Sequence, residues 1–586
     1  MPLANDMNFV LLLPEILVSL LAILIILIDV FARSDSTRTN LSYLAAVGLV
    51  IPMIATVAVL GGLNEVSFSG TYVVDPMAVF FKLLFLIAAA ISFLLSTDYV
   101  RARGIAPGEF YATVLFATLG FMLMASGREL ITIYISLEMA SIPLYMLVAM
   151  AKNDIRSNEA GIKYLLLGAM SSAVTLYGMV LLYAASGSTI LPEIAARIGS
   201  SGVVGVVAVV FVIVGLGFKI AAVPFHMWVP DVYQGAPTPV TAFLSVGSKA
   251  AGFALILRVL TQGLLPLEMY WSPLLAILAA ITMTFGNIAA LRQTNIKRLL
   301  GYSSIAQAGY AMMALAIPGT AVASGLMFFL LAYTLTNLGA FAGLIAISRQ
   351  IGSEEIEDFQ GMGQRGGILA LFTTLCFLSL VGMPPMAGFV SKFYLFFTVF
   401  EQGLVWLVVV GVLNTAIAAF YYVKVVRSMY FMSPPTNDPI RAPLSLHLAL
   451  WGSTIATIAL GIFANPFIRI TDAAANQLMS PIVTASAAVP ATPVRGGAAN
   501  VKPGEINNQV LAGISRALVA QPGQFTIDRF EPMQWSDSSL GCQEPGKVYG
   551  QAITPGYRIA VTINGQKKQV HSDIAGRAIV CDRPTQ

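Results

Sequence analysis

The chain has 586 residues, 57% hydrophobic and only 11% charged, with a mean hydropathy of +0.80. Soluble domains carry about 25% charged residues, so the composition excludes an ordinary soluble enzyme and defines an all-α polytopic membrane protein. The net charge of +4 says little by itself, and three cysteines without metal or haem spacing, three histidines and no Gly-rich loop after a strand give no sign of a haem, a His-ligated metal or a nucleotide site.

Apolar stretches of about 20 residues, the length that crosses a bilayer, recur about fourteen times. They fall near 9–31, 41–62, 76–98, 109–126, 128–150, 159–186, 203–229, 237–260, 272–291, 298–317, 320–348, 367–398, 402–430 and 446–469. The first lacks a basic segment before it and a small-residue cleavage site after it, so it reads as a retained span. One set of alternate loops, from Arg33 and Arg38 to Arg427 and Arg441, carries most of the lysines and arginines. The other carries little beyond Arg128, Arg197 and Arg258. The first set is therefore expected in the cytoplasm, with both termini extracytoplasmic.

Three domains are expected: a transmembrane domain over 1–472, a linker over 473–505 rich in Ala, Pro, Thr and Val, and a small α+β extracytoplasmic domain over 506–586. Residues 506–520 have helical periodicity, while YRIAVTI and QKKQVHSD alternate like strands. Cys542 and Cys581 bracket those strands; an oxidising compartment would permit a disulfide between them, and two unpaired thiols are the alternative.

The informative residues are charges inside apolar spans. GLGFKIAAVPFHMWVPDVYQGAPTPVTAFLSVGSK, residues 215–249, holds Lys219, His226, Asp231 and Lys249 among four prolines. A lysine at mid-span costs about 2.5–3.5 kcal/mol and usually lines a polar pathway. Pro224 removes a backbone donor and is expected to break the Lys219 helix. A second interruption, LSLVGMPPMAGFVSKFYLFF, precedes Lys392. Two such breaks at matching places suggest repeats of opposite membrane orientation. Glu138 lies mid-span in LITIYISLEMASIPLYMLV. Unpaired, it would keep its proton, and a nearby lysine would let it ionise; a structural ion pair between helices is the plainer account. Lysines buried in this way exchange protons readily.

Lys163, one turn after Glu159, is read either as a surface i,i+4 pair or as part of the pathway. His226 is read either as a cap for backbone groups freed at the break or as a proton relay. Lys82 and Glu15 read as interface residues on depth alone. Ser303, Ser304, Gln307, Tyr310, Tyr333, Thr334, Thr336 and Asn337 could carry water, or simply join helices by hydrogen bonds.

At LEMASIPLYMLV, residues 215–249, RLLGYSSIAQAGY and VGMPPMAGFVSKF the chain resembles the antiporter-like membrane subunits of respiratory complex I, over roughly residues 8–470. The Leu-Glu-x-x-Ser-x-Pro context of Glu138, a lysine at 392 and the fourteen-span layout are similar to the N-type branch rather than the M- or L-type. The resemblance implies two inverted five-helix repeats and a proton-translocating function. Glu138 would pair with Lys219, Lys249 would be the central relay, Lys392 would serve the other half-channel, and Lys163 would match a further family lysine. It implies no cofactor in this chain, with NADH, FMN, iron–sulfur clusters and quinone handled by other subunits. The expected partners are other antiporter-like and small membrane subunits and the lipid bilayer of a bacterial cell membrane, with no nucleic acid. An Mrp-type cation/proton antiporter subunit is the alternative. The tail after about residue 473 departs from the family.

Overall fold

The computed structural model describes residues 7–32, 35–199 and 201–479. Beyond them it describes 514–515, 517–518, 525–535, 539–540, 542, 554–563, 566–573 and 577–581. It divides into two compact units, Met1–Val483 and Thr484–Gln586.

The first unit is helical. Among the described residues 12 helices are long and apolar enough to cross a membrane. Two of the expected spans take other forms. The stretch at 298–317 is the helix Ile296–Leu315, whose Lys297, Arg298 and inward-facing serines make it more polar than the rest. The stretch at 367–398 is two helices, Gly367–Val381 and Ala387–Glu401.

Both sequence-predicted breaks are present. The helix Val203–Ile220 stops where Ala221 turns left-handed at φ +63°, and the N–H groups of Ala221 and Ala222 close on the Phe218 and Gly217 carbonyls at 3.1 and 2.8 Å. The chain resumes as the short helix Trp228–Gly235. At the second break Gly382 takes φ +97°, a conformation that favours glycine, and its N–H meets the Leu378 and Ser379 carbonyls. These are the common left-handed helix endings, and they leave the last carbonyls of each helix seeking donors.

A third irregularity was not legible in the sequence. The stretch from Thr238 to Gln262 begins as a helix, widens into a π-turn over Leu244–Ser248 and continues as the helix Lys249–Gln262. Such bulges are frequent at functional sites. The apolar windows of this segment and of Thr320–Ile351 are 100% and 94% buried, so these two form the centre of the unit. Outer helices keep an apolar exposed face; on Ile155–Ser186 it includes Leu165, Leu166, Met170 and Val180.

Two readings of charge are corrected here. Lys82 and Glu15 are not interface residues: both are buried, 2.9 Å apart, and each hydrogen-bonds the Tyr72 hydroxyl (2.7 and 2.8 Å). Tyr72 comes from the short hairpin Glu65–Ser67/Tyr72–Val74, which covers them. Arg258 is not a loop residue. It is fully buried, pairs in two places with Asp75 (2.8 and 2.9 Å) and donates twice to the Ala125 carbonyl.

In the second unit four antiparallel strands pair in chain order: Phe525–Trp535, Thr554–Ile563, Gln566–Asp573 and Ala578–Val580. Ile514, Phe525, Ile559, Val561 and Val570 form its core. The expected linker start at 473 is corrected, since the helix Ala464–Met479 runs through it; the rest of 473–505 lies outside the described residues.

Candidate functional site

Three lysines sit inside the first unit with no salt bridge among the described residues, each 5% exposed or less: Lys219, Lys249 and Lys392. Each instead donates to neutral oxygens, and the helix breaks explain where these come from. The helix ending at Val381 leaves carbonyls free, and Lys392 Nζ takes those of Leu380 and Val381 at 2.8 and 3.2 Å. Gln307 Nε2 shares the Leu380 carbonyl at 3.1 Å. The Lys392 ammonium also stands 4.9 Å from the centre of the Tyr310 ring. Between Gln307, Tyr333, Thr336, Ser379 and Lys392 about 10 Å³ is left for solvent, enough for about one water.

Lys249 follows the π-turn directly. Its Nζ lies 2.5 Å from the Ser304 carbonyl and 2.6 Å from the Ser304 hydroxyl. That hydroxyl also accepts from Tyr333 OH (3.0 Å) and lies 3.1 Å from Tyr233 OH. Three helices thus converge on Ser304, one with the donating Lys249 ammonium and two with tyrosine hydroxyls that can both donate and accept. Nearby, Ser303 bonds Tyr422, and Asn337 Nδ2 donates to Ser245 Oγ at 2.6 Å.

Lys219 donates to the Ser141 hydroxyl, and its ammonium faces the Tyr145 ring at 5.8 Å. Ser141 lies one turn beyond Glu138 on the same helix. Glu138 acts on Lys219 electrostatically without direct contact, and its Oε1 is buried without a hydrogen-bond partner. A buried carboxylate oxygen without a partner carries a desolvation cost. At this break the Phe218 carbonyl, which already accepts from Ala221, also accepts from Trp228 Nε1 (3.0 Å), and the Val223 N–H donates to Thr282 Oγ1 (3.0 Å). The ring of His226 packs edge-on against Phe285, centroids 4.6 Å apart, with Nδ1 unpartnered, and it interacts with the Pro224 backbone.

Lys163 is half-exposed, pairing with both Glu159 (2.7 Å) and Asp231 (2.8 Å), and Arg298 holds the other Asp231 oxygen at 2.8 Å. Glu159, Lys163 and Asp231 line a cavity with Arg156 and Gln234. Sequence reasoning did not single out Tyr233, Lys297 or the Asp75–Arg258 pair. Lys297 Nζ donates to the Ala236 carbonyl at 2.8 Å and pairs with Glu354 at 3.2 Å, tying the break after Gly235 to the Ile296 helix.

In the second unit Cys542 and Cys581 form a disulfide, with Cα atoms 5.7 Å apart. His571 Nδ1 stands 3.1 Å from the Cys542 sulfur.

The family described as NADH:quinone oxidoreductase/Mrp antiporter, TM, matches residues 127–418. A family described only as a domain of unknown function matches 507–581. NADH-quinone oxidoreductase subunit N of Heliobacterium modesticaldum is 42% identical over 474 residues, which cover 80% of this chain and 100% of that protein. The protein of the same name from Trichlorobacter lovleyi is 42% identical over 486 residues, covering 81% and 99%. Among solved structures, a chain of respiratory complex I from Thermus thermophilus with bound aureothin matches with a TM-score of 0.68 at 33% identity, covering 79% of this chain and 100% of that one. A chain of the Mrp complex from Dietzia sp. matches with a TM-score of 0.69, covering 80% and 98%; at 20% identity that shows the fold alone.

Broken helices, each flanked by a buried lysine without a counter-ion, on a scaffold shared with these proteins, define a multi-pass membrane protein of the antiporter-like class. Within that class the chain belongs to the NADH-quinone oxidoreductase subunit N family.

Proposed function

We propose that this chain is a proton-translocating membrane subunit of a bacterial NADH:quinone oxidoreductase. Protons would pass along Glu138, Lys219, Lys249 and Lys392, with Ser304, Tyr233 and Tyr333 joining the Lys249 segment to its neighbours. The reading is carried by Lys249: a fully enclosed lysine whose every partner is a neutral oxygen. Such a group can lose and regain a proton without breaking an ion pair, and a merely structural role gives no reason to bear its cost. Lys163 with Asp231 would act at one mouth of the path. His226, packed on Phe285, is the weakest member of the proposed set.

The finer architecture is part of the same proposal: fourteen crossings, counting Ile296–Leu315 and the interrupted 367–401 segment, two inverted five-helix repeats, and both chain ends outside the cell membrane. NADH, FMN, iron–sulfur and quinone chemistry would belong to other subunits. The partners would be other antiporter-like and small membrane subunits of that complex.

The test is Lys249→Ala in the assembled complex, with NADH oxidation and proton uptake measured in inverted membrane vesicles. Pumping and coupled oxidation fall together if the proposal holds. Normal pumping, or sodium/proton exchange by the chain without NADH, would sink it.

A further inference from the structure

The C-terminal unit carries its own reactive arrangement, outside everything assigned to the membrane unit. The Leu540 carbonyl lies 2.7 Å from His571 Nδ1. A carbonyl only accepts, so Nδ1 bears the hydrogen, and that same N–H faces the Cys542 sulfur at 3.1 Å. The ring is also held by stacking. Trp535 stacks on it with centroids 4.3 Å apart at 23°, and Trp535 Nε1 is itself anchored on the Ser572 carbonyl at 3.1 Å. Arg558 stands directly opposite His571 on the neighbouring strand, its guanidinium 6.0 Å from the Trp535 ring. Glu531 lies opposite Arg558 on its other side, so the charged or titratable groups in this row of the sheet, among the described residues, are His571, Arg558 and Glu531.

The two sulfurs are not equivalent. Cys581 is buried at 5% exposure, whereas Cys542 is partly exposed and is the one His571 touches. A disulfide kept only as a staple has no use for a positioned N–H donor at one sulfur. A donor and a nearby positive charge matter when that sulfur carries negative charge, because they favour the thiolate, which is the reactive form. An accessible, charge-stabilised sulfur backed by a buried one is the asymmetry that thiol–disulfide exchange needs.

We propose that Cys542 and Cys581 are a redox-active pair that takes two electrons from a dithiol, with Cys542 the exchanging sulfur, Cys581 the resolving one and His571 a positioning residue. A thiolate of the dithiol attacks Cys542 Sγ, forming a mixed disulfide. The Cys542–Cys581 bond breaks, and its electron pair leaves on Cys581, which takes up a proton. The second thiol of the reductant then attacks the first sulfur, and Cys542 departs as a thiolate held by the His571 N–H. The dithiol ends as a disulfide and the protein as two reduced cysteines.

The test uses the full chain in mild detergent, dithiothreitol as the dithiol, iodoacetamide alkylation across a pH series, and mass spectrometry to separate Cys542, Cys581 and Cys376. The expected result is reduction without denaturant, with Cys542 alkylated first and half-maximal below the ordinary thiol value of about 8.5. His571→Gln should slow Cys542 alkylation at pH 7 roughly tenfold, the loss of about one decade of thiolate. Two results would overturn the proposal: a bond that survives dithiothreitol in the folded chain, or an ordinary pH profile at Cys542 in the unsubstituted protein. The second needs no variant, so a His571→Gln chain that fails to fold does not shelter the idea.

Discussion

Lys249 Nζ reaches both oxygens of a single residue, the Ser304 carbonyl at 2.5 Å and the Ser304 hydroxyl at 2.6 Å, and no carboxylate balances it. The hydroxyl is also where Tyr333 and Tyr233 arrive. Ser304→Ala leaves the carbonyl, hence a partner for Lys249, but removes the group that links it to both tyrosines. We expect the variant to assemble normally and to lose pumping several-fold. Proton uptake per NADH oxidised in inverted vesicles is the measurement; an unchanged ratio removes Ser304 from the path.

The Arg258–Asp75 pair joins the helix that carries Lys249 to the third span. Asp75 also caps its own helix by accepting the Ala78 N–H at 2.7 Å. Asp75→Asn can keep the cap through its amide oxygen, but it removes the charge and turns one of the two acceptors of Arg258 into a donor, leaving Arg258 buried without a counter-ion. Breaking one side of a buried pair costs about 3–5 kcal/mol, while replacing both sides by apolar groups is often close to neutral. Thermal unfolding in detergent should therefore show a large loss for Asp75→Asn and a smaller one for Arg258→Met combined with Asp75→Leu. Equal losses would mean that the ion pair is not the source of the effect.

These pairs also show what the sequence could and could not reveal. Pro224 and the Gly382–Pro385 run announced the helix breaks because proline removes a donor and clashes locally, a rule that needs no tertiary information. Lys219, Lys249, Lys392 and Glu138 were legible for the same reason, since charge in an apolar run is visible wherever it packs. Glu15 and Lys82 were misread because depth was the only guide: their shared partner, Tyr72, lies 57 and 10 residues away on a hairpin too short to stand out. Arg258 was misread because its acid is 183 residues distant. The π-turn before Lys249 has no proline or paired glycine to mark it, and Gly247 alone is ambiguous. Ser304 as a meeting point required three helices to be placed together.

Close packing behind Ser304 gives a third expectation. A Cβ at Gly309 would fall 2.4 Å from the Met283 backbone nitrogen, and one at Gly286 would fall 2.6 Å from that of Ala306. Backbone cannot rotate aside as a side-chain tip can, so the helices Glu268–Leu291 and Ile296–Leu315 must separate. Gly309→Ala should cost about 1–3 kcal/mol, the range for overpacking. Because the shift displaces the helix bearing Ser304, pumping should fall with it. Unfolding temperature and proton uptake report the two effects, and a variant with native values in both would show that the helices have more slack than the backbone distance allows.

The last expectation concerns pH and the C-terminal unit. Burial, with a smaller contribution from the Arg558 charge, holds the His571 imidazole below its ordinary value of about 6.5, against the opposing effect of its Leu540 hydrogen bond. The unfolded chain then binds a proton more readily than the folded one. Stability follows the difference in bound protons, so it is complete above about pH 6.5 and declines as pH falls from there toward the folded value. Limited proteolysis of the full chain, followed by mass spectrometry of residues 484–586, should find this unit cut faster at mildly acidic pH than above neutrality. His571→Gln, with nothing to protonate there, should flatten the dependence. A slope that persists in that variant would place the responsible group elsewhere.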